Sequence, residues 1–176
     1  MEIVDTHIKD LKVVIPKVYN DERGFFLETY NQERYKHLLG LDFNFVQDNH
    51  SSSTLGVLRG LHFQKKNPQG KLVRVSQGKV FDVAVDIRKD SNSFGDWLGI
   101  ELSEKNKKQL WIPPGFAHGF LTLTETANLE YKCTDYYDPL DEGCLIWDDP
   151  AINIKWSVTE PILSNKDLEG LTIEQI

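Results

Sequence analysis

The chain is poor in cysteine, with two in 176 residues, and has one methionine and no apolar run long enough to cross a bilayer. Cys133 and Cys144 lack the C-x-x-C spacing of zinc or redox sites, which argues against a disulfide framework and makes both packing residues. Basic residues are also short: 20 Lys and Arg face 27 Asp and Glu, for a net charge of −7. A surface so acidic is unsuited to a phosphate backbone, so nucleic-acid binding is not expected. A small anionic ligand needs only a few local cations. The start, Met1 to Asp5, has neither the basic residues nor the apolar stretch of a secretion signal, and a cytoplasmic location is expected. No Pro-rich or Ser-rich linker, low-complexity segment or charge run divides the chain. Residues 1–176 therefore read as one domain, long enough to bury a core unaided.

What is present is a succession of short β-type runs: 12–19, 24–30, 43–51, 57–64, 71–87, 97–102, 121–137 and 144–147. Regular short strands separated by turn signals predict a sandwich or barrel. The clearest hairpin is expected over Lys71–Asp86, with Gln77-Gly78 at its turn. Period-two alternation there puts Asp82 and Asp86 on one face and Phe81, Val83 and Val85 on the other. One helix is predicted, capped by Asn31, striped by Tyr35, Leu38 and Leu39 and stopped by Gly40. A second, single-turn helix is expected over Ser103–Lys108. A Gly followed closely by His occurs in each half, at Gly60-Leu61-His62 and Gly115-Phe116-Ala117-His118, as in a barrel of two related halves.

Polar residues in strand-like sequence mark where chemistry could lie. Arg59, His62 and Gln64 stand among apolar neighbours, and polar groups inside a barrel are costly unless they are paired or face a ligand. Strict alternation points Gly60, His62 and Gln64 one way and Arg59, Leu61 and Phe63 the other, unless Gly60 marks a bulge. Each of His50, His62 and His118 taken singly reads as an ordinary core or surface histidine. A metal site could draw on these histidines and nearby carboxylates, but no two His stand two apart on a strand or four apart on a helix. Tyr131 and Tyr137 fit ordinary strand packing. Asp167 closes Ser164-Asn-Lys-Asp167, the start signal of a helical turn, so capping is its local reading. Arg23, Arg59, Lys71 and Lys166 read locally as solvated charges.

Taken together, ordered blocks along nearly the whole chain resemble the dTDP-4-dehydrorhamnose 3,5-epimerase family. They are Asp21-Glu-Arg-Gly-Phe-Phe26, Phe45-Val-Gln-Asp-Asn-His-Ser51, Val57-Leu-Arg-Gly-Leu-His-Phe-Gln64, Gln69-Gly-Lys-Leu-Val-Arg74 and Val80-Phe-Asp-Val-Ala-Val-Asp-Ile-Arg88. They continue through Gln109-Leu-Trp-Ile-Pro-Pro-Gly-Phe-Ala-His-Gly-Phe120, Tyr131-Lys132, Glu142-Gly143 and Ser164-Asn-Lys-Asp167. The resemblance implies a mainly β, cupin-type jelly-roll β-barrel with a few short helices, acting as a homodimer. It implies His62 as proton acceptor supported by Asp167, and Tyr131 as proton donor on the opposite face of the sugar. Contacts to a dTDP-sugar map to Arg23, Glu28, Gln47, Asp48, Asn49, Arg59, Lys71, His118, Glu142 and Lys166, with Tyr137 stacking on thymine.

This chemistry suits the residue types. An imidazole with the ordinary pKa of about 6.5 offers a neutral base near pH 7, and a carboxylate stabilises the imidazolium it becomes. The enolate formed beside the C4 ketone needs a donor or cation, for which Lys71 and His118 are the candidates. A tyrosine, with an ordinary pKa of about 10, can return a proton from the other face. Arg23 and Arg59 suit a diphosphate. Moving protons leaves the carbon oxidation level unchanged overall, so no metal, nicotinamide or flavin is expected. Rival readings are a single-site C3 or C5 epimerase of another dTDP-deoxysugar, a non-catalytic sugar-nucleotide binding cupin, and a metal-dependent cupin oxygenase or isomerase.

Overall fold

The computed structural model describes every residue except Leu41 and Phe43, so the expected strand start at Phe43 lies outside the described residues. In chain order the elements are β1 (Glu2–Asp5), β2 (Lys12–Ile15), β3 (Val18–Asp21), β4 (Gly24–Leu27), α1 (Gln32–Leu39), β5 (Gln47–Thr54), β6 (Leu58–Gln64) and β7 (Lys71–Gln77). There follow β8 (Lys79–Asp86), β9 (Trp97–Ser103), β10 (Gln109–Ile112), β11 (Phe116–Thr122), β12 (Thr126–Cys133), β13 (Glu142–Cys144) and α2 (Asn165–Leu168), then a 3₁₀ turn at Ile173–Gln175.

Two facing sheets of a jelly roll hold most of the strands, one ordered β1-β2-β10-β7-β12-β5 and the other β13-β6-β11-β8-β9. Between them lies a core of Val73, Val75, Val80, Ala84, Leu102, Leu110, Ile112, Phe116, Phe120 and Leu129. The outer face of the five-stranded sheet buries Leu61, Phe63, Val83, Val85 and Ala117 under Leu145, Ile152 and Ile173 from the C-terminal part of the chain. The outer face of the six-stranded sheet, through Val14, Leu72 and Trp111, receives Tyr35 and Leu39 of α1. On β8 the alternation holds: Val80 and Ala84 join the inner core while Val83 and Val85 pack outside.

Several expectations are corrected. Lys71–Asp86 is not a hairpin, because β7 pairs with β10 and β12 whereas β8 pairs with β11 and β9 in the opposite sheet. Gly78, at φ +73, is the corner at which the chain changes sheets, and a Cβ there would lie 2.1 Å from the Thr126 carbonyl oxygen. Local sequence marks the corner but not the partner chosen on either side. Ser103–Lys108 is a turn and not a helix: Asn106 Oδ1 accepts from the backbone N–H groups of Ser103 and Lys108, which keeps the segment out of helical pairing. The run 12–19 breaks at Pro16, which cannot donate to a ladder, and 121–137 breaks over 123–125 between β11 and β12. Helix α1 starts and stops as expected, with Asn31 Oδ1 accepting from Arg34 N–H and Gly40 at φ +69, but Leu38 of its stripe is exposed.

Candidate active site

Strand register decides which side chains face the space between the sheets, since directly paired residues point the same way and the direction alternates along each strand. On β12 and β7, Tyr131 pairs with Val73 and Cys133 with Lys71. Tyr131 pairs on its other side with Asn49, and Cys133 with Gln47. Val73 belongs to the inner core, so Gln47, Asn49, Lys71 and Tyr131 face inward with it. From the other sheet, His118 pairs directly with His62, Glu142 with Gln64 and Cys144 with His62, all on the inner side.

Arg59 reaches the same side through a bulge. Between His118 and Phe120 the register slips, so that His118 faces His62 while Phe120 faces Arg59. The extra residue reverses the alternation and turns Arg59 to the face of His62. Gly60 makes this feasible: its φ is +116, and a Cβ would sit 2.6 Å from both Gly119 Cα and the His118 carbonyl oxygen. Arg59 is anchored by Nε donating to Ser53 Oγ at 2.9 Å.

The dyad is assembled by α2. Asp167 Oδ1 lies 2.6 Å from His62 Nε2 and also accepts from Gly60 N–H at 3.2 Å, while Oδ2 accepts from Ser164 Oγ at 2.6 Å. Ser164 and Asp167 also form the capping box of α2. The local capping reading of Asp167 and its contact with His62 are therefore both realised, one on each carboxylate oxygen. Burial raises the pKa of Asp167, but the hydrogen bonds from His62 and Ser164 outweigh it and hold the carboxyl down to about 2. An ionised carboxylate only accepts, so Nε2 carries the proton of this bond, and in the neutral ring the lone pair is on Nδ1. The His62 side chain is 27% exposed, so the ring is reachable while Asp167 is buried.

Opposite the dyad stands Tyr131, whose phenol is pushed up to about 12 by burial, with the neighbouring Cys133 and Glu142 adding to the shift. The phenol therefore stays protonated throughout the ordinary pH range. The Lys71 ammonium lies 5.9 Å from its ring centre, and desolvation lowers the Lys71 pKa from the ordinary value. His118 Nε2 lies 3.0 Å from both oxygens of fully buried Asp82, which fixes its ring. At the rim, Tyr137 donates to Glu142 at 2.9 Å, Lys166 donates to Glu142 at 2.7 Å, and Gln47 Oε1 accepts from Tyr137 N–H.

Three of the expected contact residues lie elsewhere in a single chain. Asp48 alternates to the outer face of the six-stranded sheet, pairs with Lys132 at 2.9 Å and lines a cavity of about 340 Å³ with Arg74 and Gln109. Glu28 pairs with Arg34 of α1, on that same outer side. Arg23 sits at the tip of the β3–β4 hairpin, bonded to Asp21, and its side chain is 87% exposed. Sequence reasoning missed two supports, Asp82 behind His118 and Ser164 behind Asp167. The signals were there: a carboxylate on the inner face of a strand, and the first residue of a capping motif.

A model of the family described as dTDP-4-dehydrorhamnose 3,5-epimerase matches residues 5–175. The chain belongs to this family. It is 55% identical over 177 aligned residues to the dTDP-4-dehydrorhamnose 3,5-epimerase of Salmonella typhimurium, covering 99% of this chain and 97% of that protein. Its structure is similar to that of dTDP-6-deoxy-D-glucose-3,5-epimerase from Legionella pneumophila in complex with dTDP-4-keto-L-rhamnose, at a TM-score of 0.97 and 52% identity, covering 99% of this chain and 94% of that one. A 3'-monoepimerase from Streptomyces bikiniensis in complex with dTDP-quinovose is also similar, at a TM-score of 0.90 and 31% identity, over 96% and 86% of the two chains. The chain is thus an isomerase of the epimerase class with a cupin-type fold. Among the described residues, no helix is long and apolar enough to cross a membrane.

The donor atoms of His62, Cys144 and Asp167 lie within 4.8 Å of one another, the one metal-compatible cluster among the described residues. The Cys144 thiol is pushed up to about 11, chiefly by burial and then by the charge of Asp167.

Proposed function

We propose that residues 1–176 form a single sugar-nucleotide epimerase domain that converts dTDP-4-dehydro-6-deoxy-D-glucose to dTDP-4-dehydro-L-rhamnose by inverting C3 and C5. The observation that carries this reading is the placement of His62, backed by Asp167, and Tyr131 on the inward faces of the two facing sheets.

In the first step His62 Nδ1 takes the proton from the carbon beside the C4 ketone, and the charge gained by the ring is stabilised through Nε2–H by the Asp167 carboxylate. Electron density moves to the ketone oxygen, where the Lys71 ammonium, and the His118 ring in its imidazolium form, offer preorganised stabilisation. The Tyr131 hydroxyl then gives a proton to the opposite face of the carbon, so the centre inverts. His62 and Tyr131 return to their starting states by exchange with water, and the cycle repeats at the second carbon. Only protons move, so the chain's own residues suffice. Arg59 at the cleft mouth suits the diphosphate, Tyr137 the thymine ring, and Gln47, Asn49, Glu142 and Lys166 the polar groups between.

The protein acts as a homodimer in this reading. Arg23 and Glu28 lie outside the cleft of their own chain, and the β3–β4 hairpin exposes Tyr19, Phe25 and Phe26. A second copy would bring the hairpin's arginine and aromatic rings to a neighbouring cleft and cover that apolar surface. The location we propose is the cytoplasm, where a nucleotide-activated sugar is available and both thiols stay reduced.

Proton NMR of dTDP-4-dehydro-6-deoxy-D-glucose with the protein in heavy water tests the reading. Deuterium entry and inversion at both C3 and C5 is the expected result. Exchange confined to one carbon would replace it with a single-site epimerase, the activity named for the similar Streptomyces bikiniensis protein. Binding with no exchange would make the protein a non-catalytic module.

A further inference from the structure

We infer that the base dyad and Cys144 together form a zinc site through which the dication switches the enzyme off. This rests in part on the reading of His62 as the base. The β13–β6 register sets Cys144 directly across from His62. Asp167 Oδ1 lies 2.6 Å from His62 Nε2, and a sulfur, a ring nitrogen and a carboxylate oxygen all fall within 4.8 Å of one another. Imidazole, thiolate and carboxylate are zinc's own donor types, and three of them leave the fourth tetrahedral position for water. A thiolate disfavours magnesium and calcium. Thiolate and carboxylate together neutralise the two positive charges of the ion. Zinc bonds of about 2.0 to 2.3 Å separate tetrahedral donors by roughly 3.4 to 3.6 Å, so each side chain has to shift by only about 1 Å. The open face of the His62 ring gives the ion a way in.

The chemistry of inhibition follows from which nitrogen zinc takes. Nε2 faces Asp167 and carries the shared proton. When zinc bonds to Nε2, that proton moves to Nδ1 and the Cys144 thiol releases its own to solvent, so one proton leaves per zinc bound. Nδ1 then bears hydrogen and cannot accept a proton from the sugar. Lys71, Arg59 and Tyr137 are untouched, so substrate binding persists while turnover stops.

The test uses the full-length protein, stripped with EDTA and dialysed against zinc chloride, with metal content, proton release and deuterium wash-in measured on the same samples. The expected result is one zinc and one proton per chain, kcat reduced about tenfold or more at an unchanged KM, and full recovery on EDTA addition. Cys144→Ser should keep zinc-free turnover and bind zinc at least about tenfold more weakly. Cobalt in place of zinc should give a thiolate charge-transfer band in the wild-type protein, a readout that does not depend on the variant folding. Equal zinc affinity of wild type and C144S, absence of the cobalt band, or a rise in KM at constant kcat would each overturn the site. Zinc-free exchange at C3 and C5 reports separately on the base. If that exchange is lacking while zinc still binds, the functional reading fails and the metal site stands.

Discussion

His62 on β6 and His118 on β11 are direct cross-strand partners, yet each ring leans on a carboxylate of its own, Asp167 for the first and Asp82 for the second. His62 Nδ1 serves as base in the proposed reading, whereas His118, whose Nε2–H is taken by Asp82, can donate to a developing oxyanion from Nδ1 only as the imidazolium.

Replacing Asp167 by Asn removes the charge behind His62 and should lower kcat about a hundredfold or more. It also bears on stability. The carboxyl is held at about 2, below its ordinary 3.8, so its stabilising contribution is present above about pH 4 and lost as pH falls towards 2. That contribution is on the order of 2 kcal/mol. Urea unfolding of wild type and D167N should differ most near neutrality and converge in acid. A gap that stays constant with pH would show that the His62 contact is not its source.

Tyr131→Phe should leave deuterium exchange from the His62 face intact and abolish inversion, because the remaining base returns the proton to the side it came from. With the phenol at about 12, no loss of activity due to Tyr131 should appear below about pH 11. Normal product formation by Y131F, measured by NMR coupling constants, would remove Tyr131 from the mechanism.

Lys71 loses its charge at a lower pH than an ordinary lysine, since desolvation disfavours its ammonium. Activity should fall on the alkaline side as that charge is lost. Lys71→Met should have low activity at every pH and lack this alkaline limb, as read from the pH dependence of kcat. An unchanged limb in K71M would assign it to another group.

Gly60→Ala places a Cβ against Gly119 at a φ that disfavours side chains. It should cost on the order of 3 kcal/mol and disturb the bulge that aims Arg59. Thermal melting and the KM for the sugar nucleotide should move together. A stable G60A protein with unchanged KM would mean that the bulge tolerates a side chain.

Mixing two disabled chains checks the dimer. If Arg23 serves the partner's cleft, a hybrid of R23A and H62N chains contains one cleft with both groups intact. Co-refolded mixtures should then exceed the activity of either parent at low substrate concentration. No gain on mixing would return Arg23 to its own chain or to the solvent.

Much of this molecule is written in short-range chemistry. Asn31 and Gly40 bound α1 because a cap and a positive φ depend on residues within a turn of each other. Asp82 is placed opposite Val83 by the pleat alone. The order of polar blocks carried the family resemblance. Strands β1 and β10, and β11 as far as Phe120, fell outside the expected runs.

Tertiary structure decided the rest. Whether β7 and β8 pair with each other or part at Gly78 depends on strands far along the chain, and no local pattern encodes a sheet partner. The slip at Gly60 arises from contact with β11, and it alone brings Arg59 to the side of His62. Asp167 was legible as a cap and became the partner of a histidine 105 residues away only when α2 packed against β6. Backbone conformation is set by neighbours in sequence, whereas an active site is set by neighbours in space, and closing the two sheets is what makes the second follow from the first.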